Sequence, residues 1–254
     1  MKREPIGLQL YSVRDEAMAD LPSALREVAR MGYEGVEFFG RFPWSARDLR
    51  AMLDDVGLKG IGYHVTLDWL KGGALSETAD FLNLLECDCA VLAVLPDAWR
   101  GTEADWRRAA AFINEVSDAL ARRGIRFGYH NHDMEFYPVE GAVPFELLFR
   151  DLAQNVFMEL DVGHALRGGA DPCALMRKWR GRQKMVHIRD YAPDDTDALV
   201  GEGRVNWPEV ISLCRACGAT KWFIIEQEPS STPPLVAAER GLRNFEGILA
   251  DLPV

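Results

Sequence analysis

Short apolar runs rich in β-branched and aromatic residues recur along the chain and predict β-strands. Eight such runs are present: IGLQLYS from Ile6, GVEFFG from Gly35, KGIGYHV from Lys59, CAVLAVLP from Cys89, IRFGYHNH from Ile125, VFMELDVG from Val156, KMVHIRDY from Lys184 and KWFIIEQE from Lys221. The interval between them is regular. Each run is therefore predicted to be one strand of a repeating unit.

The segments that follow these runs place their apolar residues at the spacing of an amphipathic helix. They are DLPSALREVARMGY, SARDLRAMLDDVGL, SETADFLNLLEC, EADWRRAAAFINEVSDALARRGI, VPFELLFRDLAQ, DPCALMRKWRGR, NWPEVISLCRACGA and PPLVAAERGLRNFEGIL. A glycine just past the last helical position, as in ARMGY and DDVGL, is a common helix stop signal. Strand and helix therefore alternate eight times.

Alternating strands and helices imply a parallel sheet that is covered on both faces. Eight units fit within 254 residues, and no Pro/Gly/Ser-rich linker divides them. This length and count match a closed (β/α)8 barrel better than an open, doubly wound sheet. We therefore predict an α/β fold, a single-domain TIM barrel over residues 1–254.

The composition disfavours some classes of binding partner. The net charge is −10 and the pI is near 5.1, which disfavours a nucleic-acid partner, since such proteins usually present a basic face. No apolar run approaches the roughly 20 residues that a membrane helix needs, and MKREPIGLQLYS lacks the apolar core of a signal peptide. We expect a cytoplasmic protein with no membrane partner. The five scattered cysteines do not form a disulfide framework, and Cys214 and Cys217 are interpreted as helix residues rather than a redox pair.

Ionisable residues collect at the predicted strand ends. All five histidines lie there, and several carboxylates and one arginine accompany them: Glu37, His64, His130, His132, Asp161, His164, His187, Arg189, Glu226 and Glu228. In barrel enzymes the C-terminal strand ends and the loops after them form the active site. Residues alternate sides along a strand, so His130 and His132 are expected to face one space.

Four strands each offer one inward ligand: His130, Asp161, His187 and Glu226. Two imidazoles and two carboxylates suit one divalent ion such as Mn²⁺, Zn²⁺, Co²⁺, Fe²⁺ or Mg²⁺ better than Ca²⁺. Such an ion acts as a Lewis acid on a carbonyl group. Taken singly, each residue also has a structural interpretation, such as a helix cap for Asp161 or an ion pair of Glu226 with Arg189.

Other segments allow two interpretations each. Glu202 in GEGRVNW is predicted as a substrate contact, although a plain loop explains it equally well. The segment RGGADP from Arg167 suits a phosphate cradle or a turn that ends in a helix cap. Aromatic residues after the second to fourth runs suit stacking on sugar rings or core packing: Phe39, Trp44, Trp69 and Trp99.

These residues resemble the xylose-isomerase-like TIM barrels, which include sugar and sugar-phosphate isomerases and epimerases, inosose dehydratase and an endonuclease branch. The resemblance covers nearly the whole chain. It rests on the motifs GLQLYSVRD, GYEGVEFFG, YHNHDMEF, ELDVGHALRGGADP, VHIRDY, GEGRVNW and IIEQE. YHNHDMEF resembles a subgroup of sugar phosphate isomerases or epimerases.

The resemblance implies a ligand set. In the epimerase branch one divalent ion is held by Glu, Asp, His and Glu from strands 5 to 8. The last three fall on Asp161, His187 and Glu226, while the first falls on His130. That departure removes one of the two metal-bound glutamates that serve those epimerases as paired acid and base.

The resemblance also implies catalytic and binding roles. Glu226 is the predicted base, and the second proton carrier is predicted to be His132 or Glu135, with Glu159 ranked last because it lies deeper in the barrel. His164 and Arg189 resemble the family's substrate-binding positions. His64, Glu37 and Glu202 complete the predicted substrate contacts.

The sequence thus predicts a metal-dependent isomerase or epimerase of a sugar, sugar phosphate or keto-sugar, which abstracts a proton next to a polarised carbonyl. Dehydration of a keto-sugar or keto-cyclitol shares that first step and is the main alternative. A non-catalytic sugar-binding barrel and a phosphodiester-cleaving endonuclease are the others. The expected partner is a small carbohydrate, and assembly into a homo-oligomer is left open.

Overall fold

Eight parallel strands close into a barrel in this computed structural model, which describes residues 5–194, 196–217, 219–228 and 232–252. The strands in chain order are β1 Ile6–Gln9, β2 Gly35–Phe39, β3 Lys59–Val65, β4 Cys89–Leu92, β5 Arg126–His130, β6 Phe157–Asp161, β7 Gln183–Ile188, β8 Asp190–Tyr191, β9 Asp197–Ala198 and β10 Trp222–Ile225. Strands β8 and β9 form a separate antiparallel pair, so β10 is the eighth barrel strand. The predicted (β/α)8 barrel is confirmed.

Helices cover the outside of the barrel. They are α1 Arg14–Ala19, α2 Leu21–Met31, α3 Ala46–Val56, α4 Gly73–Leu85, α5 Glu103–Ala121, α6 Pro144–Asp151, α7 Val162–Arg167, α8 Pro172–Lys178, α9 Trp207–Cys217 and α10 Pro234–Ala250. The eight predicted helical segments correspond to α2 to α6 and α8 to α10, although α4 begins three residues before its segment and α10 ends one residue after its own. Gly218, near the end of NWPEVISLCRACGA, lies outside the described residues.

Several predicted strands end earlier than the apolar pattern suggests, and after β1 and β6 a side chain caps the helical turn that follows. Gln9 Oε1 accepts from Tyr11 N at 3.1 Å, and a 3-10 helix over Leu10–Val13 replaces the second half of IGLQLYS. Asp161 Oδ1 accepts from His164 N at 2.7 Å and starts α7 directly after β6. Helices α1 and α7 were therefore not predicted.

The barrel interior has an apolar lower half. A buried cluster of Ile61, Cys89, Val91, Phe157, Met185 and Ile224 fills it, with Trp222 packed against the cluster. Gly128 has no Cβ, and a Cβ there would come 2.4 Å from the Phe157 ring, so this glycine makes room for the ring. Polar side chains from the same strands fill the upper half.

Among the described residues, no helix is long and apolar enough to cross a lipid bilayer.

Candidate metal centre

Strand register brings the four predicted ligands together. Asp161 pairs with His187 across β6 and β7, and Glu226 follows β10, whose Ile225 pairs with Ile188. His130 is the last residue of β5. One ligand atom from each of His130, Asp161, His187 and Glu226 lies within 4.8 Å of the others. The four residues are at most 7% exposed, so the group lies inside the barrel.

Asp161 is held in place by its backbone and one of its oxygens. The Asn131 side chain accepts from Asp161 N at 3.0 Å and donates to Asp161 O at 3.1 Å. Oδ1 caps α7, which leaves Oδ2 buried with no hydrogen-bond partner in the described structure. Burial raises the pKa of Asp161 to about 7, although the guanidinium of Arg189 opposes the rise. Oδ2 is therefore a buried oxygen that is available to a cation.

His187 lies between carboxylates on both sides of its ring. Its Nδ1 is 2.7 Å from Glu226 Oε2, and its Nε2 is 2.9 Å from Glu37 Oε2 and 3.3 Å from Glu159 Oε2. Burial alone would lower the pKa of His187, but these carboxylates raise it well above the usual range. A cation on the Glu226 side would displace the proton from Nδ1, while Nε2 keeps donating to Glu37 and so fixes the orientation of the ring.

A deeper polar cluster supports the four residues from below. Glu159 Oε2 is 2.7 Å from His64 Nε2 and 3.2 Å from His130 Nδ1, and His64 Nε2 is 3.1 Å from Glu37 Oε2. Burial raises the pKa of a carboxyl group, but the histidines around Glu159 and Glu37 outweigh it and lower both values to about 2. His64, His130, Glu159 and His187 form a second group with ligand atoms within 4.8 Å. The chain thus offers an upper and a lower set of donors that share His130 and His187.

The donor set fits a divalent cation. Burial lowers the pKa of His130 well below its usual range, so its imidazole is neutral and keeps a lone pair. With His130 Nδ1 beside Glu159, the other ring nitrogen is left for the upper set. The two imidazoles, the orphaned Asp161 oxygen and the Glu226 carboxylate supply the mixed nitrogen and oxygen ligands that Mn²⁺, Zn²⁺, Co²⁺ and Fe²⁺ accept.

Two further histidines lie beside this group toward the barrel mouth. The His132 ring centroid is 4.9 Å from that of His130 and 4.9 Å from that of His164. Burial lowers the pKa of both, to about 2 for His164, so both rings are neutral. His132 Nδ1 is buried without a hydrogen-bond partner in the described structure. As predicted, His130 and His132 face one space.

Arg189 lies above the centre on the same strand face as His187. It is 3% exposed, and its Nη2 contacts Glu228 at 2.9 Å and Asp197 at 3.1 Å. Its Nη1 is 3.8 Å from Glu226 Oε1, and its Nε is buried without a partner in the described structure. Arg189 therefore reaches the predicted substrate space, with one donor free.

Three predicted site residues do not face the predicted substrate space. Glu135 accepts from the Tyr129 hydroxyl and from His132 N, both at 2.8 Å, so both oxygens hold the loop after β5 rather than a reacting atom. Glu202 contacts Arg240 at 3.0 Å and Asn244 at 3.3 Å on the outer helix α10. Glu37 is fully buried beneath the histidines, too deep to touch substrate. The structure does not support substrate contact by Glu37 or Glu202, or proton transfer by Glu135.

Sequence reasoning missed the residues that hold the ligands. Asn131 fixes Asp161, and Gln9 Nε2 donates to Glu37 Oε2 at 2.8 Å. Glu159 was considered only as a proton carrier, whereas its carboxylate touches three imidazoles. Strand alternation could have revealed Glu159, because it shares the inward face of β6 with Asp161, whereas Gln9 is linked to the site only as the register partner of Glu37 on the neighbouring strand β2.

Two ambiguous segments now have a structural interpretation. Asp171 in RGGADP accepts from Cys173 N at 2.8 Å and caps α8, as the helix-cap interpretation requires. Trp44 and Trp69 line a cavity of about 250 Å³ together with Arg41, Tyr63 and Phe81. Tyr63 stacks on Phe38 and shares its face of the sheet, so this cavity lies outside the polar barrel interior.

Comparisons with known proteins identify the family of this barrel. The model of the xylose isomerase-like TIM barrel family matches residues 25–247. The rhizopine catabolism protein MocC of Rhizobium meliloti is 23% identical over 91% of this chain and 82% of its own length. Inosose dehydratase of Lacticaseibacillus casei is 20% identical over 89% of each. The crystal structure of a sugar phosphate isomerase/epimerase from Parabacteroides distasonis superposes with a TM-score of 0.86 at 24% identity, covering 97% of this chain and 94% of that one.

Proposed function

Because the chain belongs to the xylose isomerase-like TIM barrel family, we propose that it is a metal-dependent enzyme that isomerises or epimerises a keto-sugar. One observation carries the proposal: buried ligand atoms of four residues converge at the C-terminal ends of four barrel strands, and one of these residues, Asp161, has an oxygen, Oδ2, that lacks a partner in the described structure. Relatives named sugar phosphate isomerase/epimerase and inosose dehydratase support a carbohydrate substrate.

His130, Asp161, His187 and Glu226 would hold the ion. A divalent cation bound by them supplies a Lewis acid that polarises a carbonyl and holds a neighbouring hydroxyl. Glu37 and Glu159 keep the imidazoles oriented from below, since ligand histidines depend on the partner of their second nitrogen.

Glu226 is the base in this proposal. Burial raises the pKa of a carboxyl group, but His187 and Arg189 beside Glu226 outweigh it and hold its pKa well below the usual range, so the carboxylate is ionised. Its Oε2 lies at His187, and its Oε1 faces Arg189 at 3.8 Å. Glu226 would take the proton from the carbon next to the carbonyl, and the Arg189 Nε–H would steady the oxygen that gains charge.

His132 is the second proton carrier in this proposal. Its ring is neutral, lies beside His130 and His164, and has a free Nδ1. Glu135 holds the backbone N–H of His132 and thereby fixes the loop that carries it. The neutral ring would first take a proton from solvent at Nδ1 and then give it to carbon, while Glu226 releases the abstracted proton to solvent, and this gives the isomer or epimer.

Dehydration is the second candidate, and the inosose dehydratases among the relatives support it. The same proton abstraction followed by loss of a β-hydroxyl would give an unsaturated ketone. The product separates the two reactions, because dehydration lowers the mass of the compound by one water.

Solvent deuterium exchange tests the proposal. Metal-loaded protein is incubated in D₂O with a panel of keto-sugars and keto-cyclitols, and mass and NMR spectra report deuterium on carbon. We expect exchange with wild type, loss of it with Glu226→Gln, and full retention with Glu146→Gln, whose carboxylate pairs with Lys178 at the surface. Binding of these compounds without exchange or conversion would contradict the enzyme and indicate a binding barrel.

A further inference from the structure

The loop after β7 surrounds one carboxylate with hydrogen-bond donors. Asp190 is 1% exposed and accepts five bonds. The donors are the backbone N–H groups of Tyr191, Gly201, Gly203 and Val205, at 3.0, 3.1, 3.2 and 3.1 Å, and Nε1 of Trp207 at 2.9 Å. These five donors of the described structure are four backbone N–H groups and one indole N–H, all uncharged. We call the converging donors of residues 201–207 the GEGR nest.

The backbone of the GEGR nest is shaped for this close approach. Gly201 has a φ of +82°, which disfavours any residue with a side chain. A Cβ on Gly203 would come 2.1 Å from Asp190 Oδ1. Successive backbone N–H groups that point at one spot form a concave anion site. The nest therefore has the geometry that binds a carboxylate or a phosphate.

The GEGR nest, which Asp190 occupies, lies in a part of the barrel that often binds phosphate. Barrels of this architecture frequently bind phosphate in the loops after strands seven and eight. The GEGR nest belongs to the loop after the seventh barrel strand, and Asp190 already fills it. A substrate phosphate therefore meets an anion where other barrels offer free N–H groups.

The arginines near the centre are also neutralised by carboxylates. Nη2 of Arg189 contacts Glu228 and Asp197. Arg167 Nε lies 3.5 Å from Asp133 Oδ2, and its guanidinium stacks over Tyr191. Arg189 Nε has no partner in the described structure and Nη1 lies 3.8 Å from Glu226 Oε1, but a guanidinium that is already paired with two carboxylates suits a hydroxyl or carbonyl oxygen better than a dianion.

We infer that the GEGR nest is an anion site occupied by the chain's own Asp190, and that the substrate is a neutral keto-sugar or keto-cyclitol without phosphate. The second half of this inference rests on the proposed function, and the first half does not. Asp190 is a positioning residue, since it orders the loop and β8 rather than touching substrate.

Inorganic phosphate tests the nest without any assay of activity. Wild type, Asp190→Ala and the control Asp171→Ala, which removes a carboxylate cap elsewhere, are titrated with phosphate against chloride at equal ionic strength. We expect the melting temperature of Asp190→Ala to rise by several degrees with phosphate and its ³¹P resonance to broaden, with no response from the other two proteins. A response from wild type, or none from folded Asp190→Ala, overturns the inference.

If Asp190→Ala is isolated only as unfolded protein in chloride buffer, a refolding experiment replaces the titration. Recovery of native circular dichroism in phosphate but not in chloride supports the nest. Equal failure in both buffers overturns it. The wild-type titration remains valid in either case.

Paired probes test the substrate class. Free ketohexoses and their 6-phosphates are compared in the deuterium exchange assay. Exchange into the free sugars alone supports the inference. Exchange into the phosphates overturns the inference and leaves the proposed function standing. If deuterium enters neither the free sugars nor the 6-phosphates, the proposed function is contradicted. The phosphate titration alone then tests whether the GEGR nest is an anion site.

Discussion

The Nδ1 atom of His187 lies 2.7 Å from Oε2 of Glu226, across the neighbouring strands β7 and β10. The opposite nitrogen of the same ring meets Glu37 at 2.9 Å. The imidazole is thus fixed between a deep carboxylate and an upper one, and only the upper one borders the histidines at the barrel mouth. In the proposed function, the deep carboxylate supports the ring and the upper one reacts with substrate.

His132→Gln tests the assignment of the second proton carrier. Glu226 still abstracts the proton in this variant, so deuterium exchange into substrate is expected to stay within a few-fold of wild type. Conversion to the isomer should fall by about 10²–10⁴, the usual contribution of a general acid or base. Loss of exchange and conversion to the same extent would contradict a separate role for His132. His164→Gln is the matched control, and we expect it to raise KM more than it lowers kcat.

Glu135→Ala should lower stability. It leaves the buried Tyr129 hydroxyl and the His132 N–H without their acceptor, and each costs about 1–3 kcal/mol of unfolding free energy. Urea denaturation measures the loss. Glu135→Gln keeps an acceptor oxygen and should retain deuterium exchange within a few-fold. A Glu135→Gln protein of wild-type stability that cannot exchange would restore Glu135 as a proton carrier.

Gly128→Ala tests the packing below the site. The added methyl group would meet the Phe157 ring at 2.4 Å, so we expect a loss of about 1–3 kcal/mol from overpacking. Gly247→Ala is the control, because nothing lies within 4 Å of a Cβ there and the site is inside α10. That change should raise stability by up to about 1 kcal/mol through helix propensity. Equal stability of both variants would contradict the packing described.

Thiol reactivity tests the interpretation of the cysteines. Cys87, Cys89, Cys173 and Cys214 are buried, and Cys217 is half-buried. Burial raises the pKa of Cys87 to about 12, so its thiolate is scarce at neutral pH. We expect one thiol, Cys217, to react with Ellman's reagent in the native protein and all five after denaturation. A Cys214–Cys217 disulfide formed under mild oxidation would instead favour the redox pair.

Much of the fold follows from periodicity alone. KGIGYHV from Lys59 is strand β3 from its first residue to its last, because its β-branched and aromatic residues lie between a helix stop and a turn. The early ends of β1 and β6 could not be read from apolar patterns, since they depend on the side-chain caps formed by Gln9 and Asp161.

The candidate site was predictable in part. Strand alternation and strand-end position selected His130, Asp161, His187 and Glu226, which the structure brings together. The depth of Glu37 and the buried contacts of Glu135 with Tyr129 and His132 could not be predicted, because depth depends on strand register and Glu135 lies in a 3-10 turn. The lower cluster follows from pairings between strands that are distant in sequence, such as His64 with Glu159.

The most direct test of the account is the metal content of tag-free protein after loading with Mn²⁺, Zn²⁺, Co²⁺, Fe²⁺ or Mg²⁺ and desalting. We expect about one ion per chain in wild type and in Glu146→Gln, and loss of it in both Asp161→Ala and His130→Ala, because the upper set requires four ligands. Glu159→Gln should weaken binding by about 10–100-fold and not abolish it, as expected for a partner of the ligands. No ion under any loading condition, or an ion kept by Asp161→Ala and lost by Glu159→Gln, would contradict the proposed centre.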